Sequence, residues 1–367
     1  MEIHPGNGDG HVVVVTGAAG GVGRRVLQLL AADPTVERVV ALDLLPAPAE
    51  AAVPKVEYHR VDVTAADLGP LLERADELVH LAMVSDTERR RRRSAWVNVT
   101  GTGRMLDAAA AAGVRHVVAM SSATVYGAWP NNPVPLTEDA PLRPNPGLAH
   151  AVQRAQAEHL LADWADAQVD RTAAVLRPVT ALDEDATSWM ARALAAASGM
   201  RAGDDDPPKQ FVHLDDLAAA VALARREHLD GPFNVTPDGW LAGDVVRALS
   251  GTAPRFPLPP RLAAWFARVR WRFQRGPIPP GLVPYTEHAV LVSNDRLVAA
   301  GWSPAWTNEE ALVAGTEAKW FTLLSPKRKQ ELALGTAGAL AVLVALAAAL
   351  GVRAAVRRRR RAVAARP

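Results

Sequence analysis

The sequence predicts an α/β protein, a doubly wound parallel sheet with helices on both faces and a smaller C-terminal lobe. Three observations carry that expectation. Short β-branched runs alternate with helix-length stretches as far as about residue 180. A glycine cluster, "VTGAAGGVG" at 15–23, stands between the first run and the first helix. With 49% hydrophobic residues in 367, the chain can fill a full core, so global disorder is excluded.

The elements follow in order. "HVVVVTG" (11–17) reads as a buried strand, because β-branched residues without polar interruption suit a sheet covered on both faces. "GVGRRVLQLLAAD" (21–33) is a helix, "VERVVALDLL" (36–45) a second strand and "VEYHRVDV" (56–63) a third. "ADLGPLLERA" (66–75) is expected as a helix and "DELVHLAM" (76–83) as the fourth strand. A long helix is expected over 94–113, a fifth strand over 114–122, another long helix over 148–168 and a sixth strand over 171–178. Unbroken alternation of this kind implies parallel strands with right-handed crossovers. Past residue 180, Pro-Pro breaks and tryptophans mark the smaller lobe. The expected organisation is a disordered 1–10, a nucleotide-binding domain 11–180 and a lobe 181–322 interleaved with it. A basic linker 323–331, an apolar helix 332–352 and an arginine-rich tail 353–367 complete the chain.

Composition removes several classes. The absence of cysteine excludes disulfides, thiolate catalysis and cysteine-ligated metals, and no metal site is expected. A net charge of +2 makes no global case for nucleic acid, and the arginine runs lack aromatic interleaving or a recognised module. The N-terminus "MEIHPGNGDG" lacks the basic-then-apolar layout of a signal peptide.

Within the glycine cluster, Gly17 permits a tight turn, Gly20 lets a pyrophosphate approach the backbone and Gly23 allows close helix–sheet packing. The helix N-terminus then faces the phosphates. Asp43 ends the second strand, where a carboxylate accepts from the adenosine ribose hydroxyls and repels a 2′-phosphate. No Arg follows closely in "DLLPAPA", which favours NAD over NADP. Asp62 ends the third strand; it reaches an adenine amino group or caps the next helix, and both readings stay open.

With these residues in view, the chain resembles the extended short-chain dehydrogenase/reductase family, the NAD-dependent epimerase/dehydratase group, and within it the UDP-glucose 4-epimerase-like branch. Further segments carry the resemblance: "VHLAM" (79–83), "NVTGTGRMLDAA" (98–109), "SSATVYG" (121–127), "FVHLDDLAAAV" (211–221), "GPFNV" (231–235) and "GWSPAWTNEEAL" (301–312). The resemblance implies a Rossmann-type domain, a tightly held nicotinamide cofactor and a nucleotide-sugar or related small-molecule substrate. It implies cofactor contacts from Asp62, Val63, Leu81, Ala82 and Asn98, and it leaves a homodimer open.

The family's catalysis rests on a Ser or Thr, a Tyr and a Lys four residues on. Ser122 matches the first. Glu158 matches an acidic residue eight after the Tyr, which puts His150 at the Tyr position and Arg154 at the Lys position. No shift of alignment restores the motif. The three tyrosines, Tyr58, Tyr126 and Tyr285, are followed four residues later by Asp62, Pro130 and Ala289. His150 and Arg154 share a helix face. An imidazole trades protons near pH 6.5, and Arg154 can hold ribose hydroxyls. Two readings stay open: a rewired acid/base pair in an NAD-dependent oxidoreductase or epimerase, or a non-catalytic NAD-binding, membrane-tethered scaffold or redox sensor. The sixth strand continues as "VTALDEDATSW" (179–189), a departure from the family's sugar-nucleotide pocket segment.

Two basic features remain. Arg89 to Arg93 form a run that is read as a solvated face, with anionic ligands or lipid as the alternatives. Leu332 to Val352 carry no charge, and as a helix these 21 residues span about 31 Å, one hydrocarbon core. Seven arginines follow. The expected location is the cytoplasmic face of the cell membrane. The positive-inside rule opposes export of such a tail, so a spanning helix and an in-plane helix both stay open. The full chain is expected to sediment with membranes, and residues 1–325 to remain soluble and bind NAD. A full-length protein found folded and wholly in the soluble fraction overturns the anchor.

Overall fold

The computed structural model describes residues 10–47, 53–84, 94–183, 206–249 and 280–316. The chain divides into two compact units, 1–250 with 257–317 and 251–256 with 318–367, and every described residue belongs to the first. The N-terminal 1–9, the Arg89–Arg93 run, the linker, the 332–352 segment and the tail lie outside the described residues. Among the described residues no helix is long and apolar enough to cross a membrane.

β1 (His11–Thr16) shows how the sheet is built. Val13 and Val15 enter one core with Val39, Ala41, Val79, Val118 and Leu176, while Val12 and Val14 enter another with Val40, Leu42, Leu78, Val117 and Val175. Alternate side chains thus feed the two faces, and both faces are covered. Helices α1 (Gly21–Ala32) and α5 (Leu214–Arg226) cover the first, through Val26, Leu30, Leu217 and Val221. Helices α3 (Thr102–Ala112) and α4 (Ala149–Asp166) cover the second, through Met105, Leu106, Leu161 and Trp164.

The other strands are β2 (Val36–Asp43), β3 (Val56–Arg60), β4 (Glu77–His80), β5 (His116–Met120), β6 (Thr172–Pro178), β7 (Thr180–Leu182), β8 (Phe211–His213) and β9 (Gly231–Val235). Seven of them form one parallel sheet in the order β3-β2-β1-β4-β5-β6-β9. The order reverses between β1 and β4, which opens a crevice at their C-terminal ends. β7 and β8 pair separately. The chain past residue 180 therefore returns to the main sheet through β9, and α5 lies against its core.

Two helices differ from expectation. The 66–75 stretch holds one turn, α2 (Gly69–Leu72), because a helix begun at Ala66 cannot run through Pro70, which stands instead in the first turn, and because Arg74 takes a left-handed φ of 65°. The 94–113 helix opens with a wide π turn, Trp96–Gly101, before α3 begins. There the Thr102 hydroxyl takes the Asn98 carbonyl at 2.7 Å, a side chain competing for a helix acceptor. Gly113, at φ 81°, ends α3 in the usual left-handed cap.

Polar groups bridge the layers. The buried Arg177 guanidinium meets Glu158 at 2.7 Å and donates to the Tyr126 hydroxyl at 2.7 Å and the Glu138 carbonyl at 3.1 Å. Tyr126 donates to Asn234 at 2.8 Å, and Ser121 donates to Glu158. His80, buried at the end of β4, accepts from Thr16 at 2.8 Å and donates to Thr102 at 3.0 Å. His116 spans the Thr172 hydroxyl at 2.7 Å and the Ala224 carbonyl at 3.2 Å.

Arg177→Met should destabilise the protein by about 3–5 kcal/mol, because it strands a buried carboxylate; urea unfolding measures this. Burial, aided by nearby positive charge, also lowers the His80 and His116 pKa values from 6.5 to about 4. Below pH 6.5 the unfolded chain takes up protons that the folded chain refuses. Their contribution is therefore complete above about 6.5 and lost as pH falls toward 4. The urea midpoint should fall across that window, less steeply in His116→Asn.

Candidate active site

The crevice at the β1–β4 reversal is floored by the glycine turn. Gly17 sits at φ +72°, and a Cβ there would lie 2.7 Å from the Ala82 amide nitrogen. A Cβ on Gly23 would lie 2.2 Å from the Gly17 carbonyl oxygen. These two glycines are demanded by the protein itself. Gly20 differs: a Cβ there would meet only the Gly17 oxygen, at 3.2 Å, so its outer side is open to a ligand. It precedes α1, whose N-terminus has no side-chain cap. Backbone amides at such an end suit a phosphate.

Asp43 does more than the ribose role expected of it. Its carboxylate accepts from the Ala19 amide and the Leu45 amide, both at 2.9 Å, and so braces the glycine turn. Further lone pairs remain for hydroxyl donors. The strand register sets Arg60 opposite Asp43, with Nε donating to the Leu44 carbonyl at 3.1 Å. An arginine missing from the local sequence is thus supplied by the neighbouring strand. Asp62 accepts from the Thr64 amide at 2.9 Å and its hydroxyl at 2.6 Å. It therefore closes the turn after β3 and does not cap α2, which starts at Gly69. Val63 is buried behind it.

Leu81 and Ala82 line the crevice where Gly17 approaches β4, and the Thr16 hydroxyl accepts from the Ala82 amide at 3.2 Å. Thr16 therefore donates its own proton to His80 Nδ1, which leaves His80 Nε2–H to donate to Thr102 and Thr102 to donate to the Asn98 carbonyl. Asn98, expected as a cofactor ligand, spends its side-chain amide on structure. Its oxygen accepts from the Val84 amide at 2.8 Å, and its nitrogen donates to the Val84 carbonyl at 2.9 Å and to Gln153 at 2.7 Å.

The three expected catalytic residues divide between two places. His150 and Arg154 lie on the first turns of α4, with the Arg154 charge near enough to act on His80. Arg154 donates to the Met120 carbonyl at the end of β5, and its Nε is buried without an acceptor. Burial pushes its pKa down to about 10, against the opposing pull of Glu158. Burial and the Arg154 charge push His150 down to about 3. That is the direction expected beside a guanidinium, toward the neutral ring. Ser122 sits at the start of the turn Ala123–Tyr126, where Oγ accepts from the Thr124 amide at 3.2 Å and its hydroxyl at 3.0 Å. Ser122 also lines a cavity with Thr124, Thr180, Lys209, Gln210 and Tyr285.

A dinucleotide fits this crevice. The open side of Gly20 and the uncapped α1 offer what phosphates need, and Asp43 keeps lone pairs for ribose hydroxyls. Sequence reasoning did not single out His80, Gln153, Lys209 or Tyr285. The last two come from segments far from the glycine turn, and only Lys209, just before "FVHLDD", had a motif beside it.

Comparison with known proteins agrees with this architecture. Residues 13–235 match the model of the NAD dependent epimerase/dehydratase family. A 3-diazoavenalumate denitrifying reductase from a Streptomyces species is 30% identical over 327 residues, 80% of this chain and 95% of that protein. A UDP-glucose 4-epimerase from Streptomyces lividans is 30% identical over 248 residues, 59% of this chain and 73% of that one. Among solved structures, the Thermus thermophilus UDP-glucose 4-epimerase complex with NAD superposes with a TM-score of 0.62 at 23% identity, covering 83% of this chain and 97% of that one. MoeE5 in complex with UDP-glucose and NAD gives 0.61 at 21% identity, with coverages of 83% and 97%. The glycine turn, the sheet order and the motif sequence thus converge: the chain belongs to the NAD dependent epimerase/dehydratase family, and NAD is its cofactor.

Proposed function

We infer that this protein is an oxidoreductase or epimerase acting at a hydroxyl or keto carbon of a nucleotide sugar or a related small molecule, with a rearranged acid/base site. The observation that carries this reading is Ser122. Its oxygen accepts from the Thr124 amide and hydroxyl, and the residue lines a cavity beyond the end of β5 with Lys209, Gln210 and Tyr285. That is what a residue holding a reacting oxygen needs. NAD, when bound, supplies the hydride acceptor. The chain's own residues bind and orient. The glycine turn and the α1 N-terminus receive the pyrophosphate, Asp43 the adenosine ribose, and Arg154, at the position its family gives to lysine, the nicotinamide ribose. His150 contributes a neutral ring beside Arg154, at the position where the family keeps its proton donor.

One observation favours a second reading, a non-catalytic NAD-binding scaffold or redox sensor. The position where the family keeps its proton donor holds a histidine at about 3, and no Tyr-x-x-x-Lys occurs elsewhere. In either reading the 332–352 segment tethers the protein to the inner face of the cell membrane, with the arginines of the tail held by anionic lipid. A homodimer is also compatible with both.

Cofactor choice gives the cleanest test. The unmodified chain should bind NAD(H) more tightly than NADP(H). Asp43→Ala should reduce that preference, because it removes the repelling carboxylate and leaves Arg60 to receive a 2′-phosphate. Adding Arg60→Ala should then weaken NADP(H) again. Titration by intrinsic fluorescence measures all three, and equal affinity of the unmodified chain for the two cofactors removes Asp43 from the selectivity.

A further inference from the structure

The parallel strands begin at the end of the sheet opposite the crevice, and there histidines gather around one buried carboxylate. Glu77 opens β4 and is 2% exposed. Its Oε2 accepts from Arg225 Nε at 2.6 Å, and Arg225 also meets Asp33 at 2.7 Å. Its Oε1 is buried without a hydrogen-bond partner, a state that costs free energy unless a donor or a cation fills it. Two ring nitrogens face that oxygen. His11 Nδ1, at the start of β1, lies 3.8 Å away, and His228 Nε2, beyond the end of α5, lies 3.5 Å away. Both separations are long for a hydrogen bond. His116, in register with Glu77 on β5, packs its ring 4.8 Å from that of His228 but spends both nitrogens on Thr172 and Ala224. Glu77 and Asp33 thus set two carboxylates against the one guanidinium of Arg225.

We propose that Glu77 Oε1, His11 Nδ1 and His228 Nε2 form a structural site for a divalent transition ion of the zinc class, which clasps the end of α5 to β1 and β4. Imidazole and carboxylate are donors that such an ion takes at about 2.0–2.2 Å, and donors on one tetrahedral ion stand about 3.4 Å apart. The two nitrogens are already within a few tenths of an ångström of that distance from Oε1. Among the described residues no three such groups are closed on an ion position as they stand. Here the gap lies between the two rings, whose centroids are 6.5 Å apart against about 5 Å for imidazoles on one ion. Their side chains are 44% and 53% exposed, so both rings can turn inward without disturbing the core. Water completes the tetrahedron. Arg225, bound to Oε2, aims the carboxylate as an outer-shell partner does. The chain has no cysteine, so these are the donor types that it can offer zinc. The site stands away from the reacting end of the sheet and is independent of the hydride-transfer reading.

The untagged full chain, in detergent and stripped with EDTA, is titrated with Zn²⁺ by calorimetry and with Co²⁺ by visible absorption. Zn²⁺ should bind and raise Tm, because the unfolded chain does not hold the three donors together. Co²⁺ should give the visible bands of a four-coordinate nitrogen and oxygen site. Mg²⁺ should leave Tm unchanged, because imidazole is not its ligand. The test variant combines His11→Gln with His228→Asn, since Asn tolerates the left-handed φ of 47° at 228. Glu77 is left in place, because its removal would strand Arg225. The double variant should keep the Tm of the stripped chain. It should bind Zn²⁺ more weakly by more than the ~10–100-fold that loss of an outer-shell partner costs, and lose the Tm rise. NAD affinity should be the same with and without Zn²⁺. Failure of the unmodified chain to bind Zn²⁺ overturns the proposal, as does full Zn²⁺ affinity in the double variant, which moves the ion to other histidines. A Tm rise of equal size with Mg²⁺, or a change of NAD affinity on adding Zn²⁺, also overturns it and places the ion elsewhere.

Discussion

The pairing of Glu158 with Arg177 is the constraint on which the site depends. Both ions are buried, so each is tolerable only because of the other and of the neutral donors and acceptors around them. Arg177 also lies 5.1 Å from the centroid of the Tyr126 ring and bonds that residue's hydroxyl, and Tyr126 reaches Asn234 on β9. One guanidinium therefore joins the α4 helix, the turn after β5, β6 and the sheet edge. Glu158 stands one helical turn beyond Arg154 and two beyond His150. Fixing its carboxylate fixes the rotation of α4, and with it the face that Arg154 turns to the end of β5.

A second polar chain works at the other side of the crevice. Thr16, His80 and Thr102 pass hydrogen bonds in one direction, from β1 through β4 into the helix beyond. A charged imidazole would have to donate at both nitrogens, and the Thr16 hydroxyl would then have to turn its proton away from the ring. Neutrality of His80 is thus a packing condition. The Arg154 charge pushes both His80 and His150 toward the neutral form.

Much of this was readable in the chain. The strands were legible because residues buried on both faces need unbroken apolar runs, and β1 is such a run. Gly17 and Gly23 were legible because a left-handed φ and a 2.2 Å approach admit no other residue. The absence of a Tyr-x-x-x-Lys pair was legible because three tyrosines can be checked by hand. What depended on tertiary placement was not. The shortness of α2 follows from backbone conformation at Arg74, and the second duty of Asp43 follows from the fold of a turn 24 residues upstream. His150 was read with its residue-type pKa, whereas burial and the neighbouring charge decide its value. Arg60 and Lys209 could not be placed, because strand register and the return of the lobe bring them to the site. The 332–352 segment was read from charge and length alone.

The Asn98–Gln153 contact has a consequence for how this family member can vary. Asn98 grips Val84 through both its amide and its carbonyl, and Gln153, bound to Asn98, donates to Ser94 at 3.2 Å. The two ends of the 85–93 stretch are therefore clamped to one buried amide pair, independently of what lies between them. Asn98 and Gln153 can therefore vary only together: Asn98→Asp removes the donor to Val84 and Gln153, and Gln153→Glu the donor to Ser94.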